Sequence, residues 1–174
     1  ILEIGEGFVQ YLFKETLGVD VPLPLPRITY QDAMNRFGSD KPDTRFGMEI
    51  CDVSALVKDS AFSVFSSPIR EGGSVRGIVA KDAAKTLTRK EIDKLTEYVR
   101  GIGAKGLAWV RWVEEKPACS FAKFMAEGEL EAILSRMGAE QGDVVLLVAD
   151  KDKVVLPTLG ALRLEVAKKL GVIP

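Results

Sequence analysis

Few side chains in this sequence have the types and spacing that chemistry needs. Histidine is absent, which removes the usual general base and the commonest metal ligand. Cys51 and Cys119 lie far apart with no metal-type spacing, and nothing points to secretion, so they read as two reduced thiols. Ser66-Ser67 and Cys119-Ser120 have no histidine to activate them, and no pattern supports a Ser-Lys arrangement. The carboxylates are scattered. Asp150 and Asp152 flank Lys151 and read as a solvated turn. No phosphate-cradling GxxxxGK[ST] run is present, and no GxGxxG opens a helix after a strand. What remains is a cluster of cations: Lys81, Lys85, Arg89, Lys90, Lys94 and Arg100. Asp82, Glu91, Asp93 and Glu97 interrupt it, so it reads first as a solvated mixed-charge face. No catalytic, cofactor-binding or metal-ligating residue is expected in the chain.

Composition sets the frame for these residues. The chain has 174 residues, 47% hydrophobic and 28% charged, with a net charge of −1. That suits one ordinary domain, or one domain with part of another, and excludes disorder, collagen and coiled coil. It also excludes a basic nucleic-acid sleeve, so any RNA contact must come from a local patch. No apolar run approaches the ~20 residues of a membrane helix. The N-terminal Ile1-Leu2-Glu3-Ile4 has neither a Met nor a signal-peptide pattern, so a cytoplasmic piece of a larger protein is expected.

The elements that position the cations follow from periodicity. Ile1, Ile4, Phe8 and Leu12 stripe a first helix that Gly18 ends. Val21–Pro26 alternates proline with apolar residues and reads as an extended connector. Thr29 caps a short helix through Phe37, stopped by Gly38. The polar run Gly38–Arg45 is a loop, and residues 48–57 mix a short strand with a turn or short helix. Phe62–Ile69 reads as a strand that pairs across Glu71-Gly72-Gly73 with Ser74–Ala80 in a hairpin. Thr88 and Glu91 form a capping-box pattern ahead of a helix carrying Ile92, Leu95 and Val99 inward. Leu107–Val113 is a strand with Trp109 and Trp112 on opposite faces. Phe121–Met125 is a short amphipathic piece and Glu129–Met137 a helix. The apolar Val144–Ala149 is a central strand covered on both faces. After a turn at Asp150–Lys153, Pro157 fits the first turn of a last helix with Leu159, Leu162, Val166 and Leu170 inward. This is an α+β domain: a two-layer sandwich with a four-stranded, mainly antiparallel sheet and helices on one face, in β-β-α-β-β-α order, preceded by a helical and extended flank.

Several stretches go beyond patterning. Pro26-Arg27-Ile28-Thr29-Tyr30-Gln31-Asp32-Ala33-Met34, followed by Arg36-Phe37-Gly38-Ser39-Asp40-Lys41-Pro42-Asp43-Thr44-Arg45-Phe46-Gly47-Met48-Glu49, resembles the stretch downstream of motif 2 in bacterial-type aspartyl-tRNA synthetases. Leu87–Asp93, Gly103–Trp109, Ala122-Lys123-Phe124, Gly142-Asp143 and Leu159–Leu164 resemble the GAD insertion domain of that family. The resemblance runs nearly end to end. It implies residues 1–47 as a flank of the class II catalytic module and residues 48–172 as the insertion. The family's GAD domain has the β-β-α-β-β-α order read above. The parent would attach aspartate to its tRNA with ATP and Mg²⁺, as a homodimer and without a membrane. The arginines of motifs 2 and 3 lie outside this chain, so no catalytic residue carries over and the fragment alone is expected to be inactive. The insertion would then scaffold the remaining catalytic domain or lie near tRNA, with Lys81, Lys85, Arg89, Lys90 and Lys94 as phosphate contacts. A GAD-bearing subunit of a tRNA-dependent amidotransferase, or an unrelated α+β binding module, are the alternatives. The Gly38–Asp43 run argues against the amidotransferase.

Overall fold

The computed structural model describes residues 1–173. Helix α1 (Leu2–Leu17) closes on Gly18, whose left-handed backbone lets its N–H reach the Lys14 carbonyl. None of its residues is buried, and Ile4, Phe8, Leu12 and Phe13 face outward. Its links run to the extended segment that follows: the Gln10 amide donates to Val21 O at 2.9 Å, and Glu6 meets Arg27 at 3.3 Å. Helix α2 (Tyr30–Phe37) begins as expected, with the Thr29 hydroxyl accepting from the Asp32 N–H at 3.1 Å.

The body of the chain runs β1 (Cys51–Asp52), α3 (Ser54–Val57), α4 (Ser63–Arg70), β2 (Ser74–Ala80), α5 (Arg89–Gly101), β3 (Ala108–Arg111) and β4 (Ala118–Cys119). A 3-10 turn at Ala122–Phe124, α6 (Glu129–Met137), β5 (Val144–Asp150) and α7 (Asp152–Leu170) complete it. The sheet order is β1-β2-β5-β3-β4, with every pair antiparallel. Strand β5 is central and apolar on both faces, so two cores form. Ile78, Trp109, Val144, Leu146 and Val148 pack on one face with Ile92, Leu95 and Val99 of α5 and Val155, Leu159, Leu162 and Val166 of α7. Val75, Val110, Val145 and Leu147 pack on the other with Val57, Phe65, Phe121, Ile133 and Leu134.

The α+β class and the antiparallel sheet agree with the sequence. Four details differ. The sheet has five strands rather than four, because β1 and β4 have two residues each and cannot show an alternation. The two long helices share one face as expected, but α3, α4 and α6 cover the other, since β5 leaves no polar face to solvent. Residues 62–69 are helical rather than a strand. At helical spacing Phe62, Phe65 and Ile69 come to one side, and Phe65 docks edge-on to Phe62 and Phe121 at centroid distances of 4.8 and 5.0 Å. The expected hairpin is therefore absent, and β2 pairs with β1 and β5. Last, α7 starts at Asp152, so Pro157 lies inside the helix. Asp152 takes the first turn, where it accepts from the Ser74 hydroxyl and its charge suits the helix N-terminus. The expected β-β-α-β-β-α order therefore holds only from β2 onward, as β2-α5-β3-β5-α7 with β4 and α6 inserted before β5, and its first strand is replaced by α4.

The exit from β2 is fixed by Asp143. Its side chain is 4% exposed and takes Lys81 Nζ at 2.8 Å, the Asp82 N–H at 3.0 Å and the Glu140 N–H at 2.9 Å. Burial pushes its carboxyl up, but these donors outweigh burial and hold it below the usual carboxylate value. A depressed native value stabilises the fold above the unfolded value of about 3.9, and that stability is lost as pH falls through the native value. Asp143→Asn is therefore expected to cost about 1–3 kcal/mol at neutral pH. Thermal melts should show the wild type losing more stability than the variant as pH falls below about 4. Parallel losses would remove Asp143 as the source.

Candidate nucleic-acid interface

The expected cations centre on α5, whose start and orientation are set locally. Thr88 caps it, accepting from the Glu91 N–H at 3.4 Å. Glu91 does not complete the reciprocal half of a capping box. It turns instead to Lys94 at 2.6 Å and Lys169 at 2.9 Å, and hydrogen bonds from these two lysines pull its carboxyl down to about 2. Ile92, Leu95 and Val99 are fully buried, which turns Arg89, Lys90, Lys94 and Arg100 outward.

These cations line a shallow cleft of about 730 Å³ with Leu107, Trp109 and Ser120. The Arg89 guanidinium lies 4.7 Å from the Trp109 ring centroid and pairs with Asp93 at 3.0 Å. Arg100 pairs with Glu97 at 2.7 Å. Of the five expected contacts, Arg89, Lys90 and Lys94 share the cleft. Lys85 is exposed on the preceding loop. Lys81 is turned onto Asp143 and the Gly138 carbonyl, at 2.6 Å from the latter. Trp109 was visible in the sequence only as a packing residue. Lys169 stands in the last turn of α7. Both reach α5 through the tertiary fold.

The arrangement suits exchange of surface ion pairs for phosphates. Every carboxylate of the cleft faces a cation. Both thiols are free, and burial raises each of them, Cys119 to about 11, so neither is a ready nucleophile. No group of three or more His, Cys, Asp or Glu side chains among the described residues is arranged to hold a metal ion. No helix among them is long and apolar enough to cross a membrane.

The family model for the GAD domain matches residues 65–159, from α4 into α7 and across the whole cleft. The chain belongs to the GAD domain family. It is 49% identical over 173 residues to an aspartate–tRNA(Asp/Asn) ligase of Caldanaerobacter subterraneus subsp. tengcongensis. It is 52% and 53% identical, over 174 residues each, to aspartate–tRNA ligases of Agathobacter rectalis and Ruminiclostridium cellulolyticum. Each match covers 99% of the chain, which spans 29% of the length of each of these relatives.

Proposed function

We propose that the chain is part of an aspartate–tRNA ligase, with residues 48–172 as its inserted GAD domain and residues 1–47 as a flank of the catalytic module. The supporting observation is that identity to the ligases extends over the flank as well as the GAD match. The full protein would join aspartate to tRNA with ATP and Mg²⁺, in the cytoplasm, as a homodimer. By the resemblance, ATP and its metal would be held by residues of the catalytic module outside this chain. Aminoacylation assays on the full-length product test the reading. Aspartate attached to tRNA is the expected result, and charging with another amino acid alone would overturn it.

Within that protein the exposed face of α5 would meet tRNA phosphates through Arg89, Lys90 and Lys94, with Lys85 beside them. Lys81 would contribute only by leaving Asp143. The cleft's ion pairs are mostly exposed, so each is weak and exchangeable. Replacing Arg89 and Lys94 together by glutamate in the full-length enzyme should raise KM for tRNA. It should also flatten the log–log salt dependence of binding by roughly 0.7–0.9 per lost contact. An unchanged KM and an unchanged slope would take this surface off the tRNA path.

A further inference from the structure

We infer that the GAD domain braces the segment before it, and that Arg163 is the positioning residue that transmits the brace. The inference rests on the reading that residues 1–47 belong to a catalytic module. Arg163 lies on α7, in phase with Leu159, Leu162 and Val166, and is 1% exposed. Its guanidinium donates to three backbone carbonyls of the preceding turn: Asp43 at 3.2 Å, Gly47 at 2.9 Å and Met48 at 2.9 Å. The rings of Phe37 and Phe46 stand on it, each with its centroid 4.8 Å from the guanidinium carbon.

The turn needs such a hold. Met48 has a φ of 63°, a left-handed conformation uncommon for a residue with a side chain, and its carbonyl is one of the three that Arg163 binds. One turn earlier on α7, Gly160 packs directly against the backbone of Gly38, the left-handed residue that ends α2. The turn closes back on α2 through the Ile50 N–H to Arg36 O at 2.8 Å and an Arg36–Glu49 pair at 2.6 Å. Helix α2, the turn and α7 therefore form one packed unit. Helix α1, with no buried residue, is outside it. A lysine cannot replace the clasp, because a single ammonium lacks the planar fork that spans several carbonyls and stacks between rings.

A brace on the catalytic module acts before tRNA arrives, whereas the α5 face acts only when tRNA is present. That difference supplies the test. Full-length enzyme carrying Arg163→Met or Arg163→Lys is assayed for aspartate-dependent ATP–pyrophosphate exchange without tRNA, and for KM toward tRNA. Ile133→Ala, which opens a cavity in the core on the opposite face of the sheet, serves as a destabilised control, its stability measured beside that of the Arg163 variants. The brace predicts a kcat for exchange lowered by roughly tenfold in the methionine variant, within what packed contacts transmit. It predicts a smaller loss in the lysine variant, an unchanged KM for tRNA, and faster amide deuterium uptake over residues 38–50. The control should keep its kcat and its slow uptake in that turn. An unchanged kcat in both Arg163 variants overturns the brace, as does an equal loss in the control. If Arg163→Met does not fold, the lysine variant decides. A wild-type enzyme without exchange would sink the ligase reading instead. Deuterium uptake would then decide the clasp alone: slow uptake over 38–50 in the lysine variant would overturn it.

Discussion

Gly160→Ala is expected to destabilise the protein by about 2–3 kcal/mol, although alanine is the better helix former by about 1 kcal/mol. A Cβ at position 160 would sit 2.5 Å from Gly38 O, 2.9 Å from Gly38 C and 3.0 Å from Phe37 O. All three are backbone atoms, so no side chain can swing aside. The end of α2 must move off α7, and the carbonyls held by Arg163 move with it. In a domain of this size the loss corresponds to a fall of roughly 5–10 °C in Tm. A melt in which the variant is as stable as the wild type, or more so, would mean that α2 does not rest on α7.

A larger loss is expected at Phe65. Its ring is 1% exposed and packs edge-on to Phe62 and Phe121, over the face of the sheet that carries Val75, Val145 and Leu147. Phe65→Ala removes a buried ring and leaves a cavity, which costs about 3–5 kcal/mol. Denaturant unfolding measures it directly. A loss below about 0.5 kcal/mol, the range of an ordinary surface change, would place Phe65 outside the core and undo the docking of α4.

Phe65 also marks the limit of what the sequence discloses. Where an element carried a cap and a full apolar period, the reading matched the structure. Thr29 and Thr88 start α2 and α5, Gly18 and Gly38 stop α1 and α2, and the unbroken apolar run of β5 sits at the centre of the sheet. Helix α4 has eight residues with Pro68 among them, too short for its period to outweigh β-branched and aromatic residues that also suit a strand. The tertiary contacts of Phe65 with Phe121 and with Val75, Val145 and Leu147 of the sheet choose between the two. The same division holds for the cleft. Arg89, Lys90 and Lys94 fall on one face from the α5 period alone. Trp109 beneath Arg89, Lys169 beside Glu91 and Asp143 holding Lys81 come from distant segments. Arg163 did carry a readable signal, an arginine in register with the inward leucines of α7, but its partners are carbonyls and rings more than a hundred residues away.

The central claim is that this chain is one part of an aspartate–tRNA ligase and holds none of its catalytic groups. Aspartate-dependent ATP–pyrophosphate exchange, measured side by side on the full-length product and on the purified 174-residue chain, tests it most directly. The account predicts exchange by the full-length protein and none by the chain above a no-enzyme control. Reproducible exchange by the chain alone, or its absence from a folded full-length protein, would contradict the account.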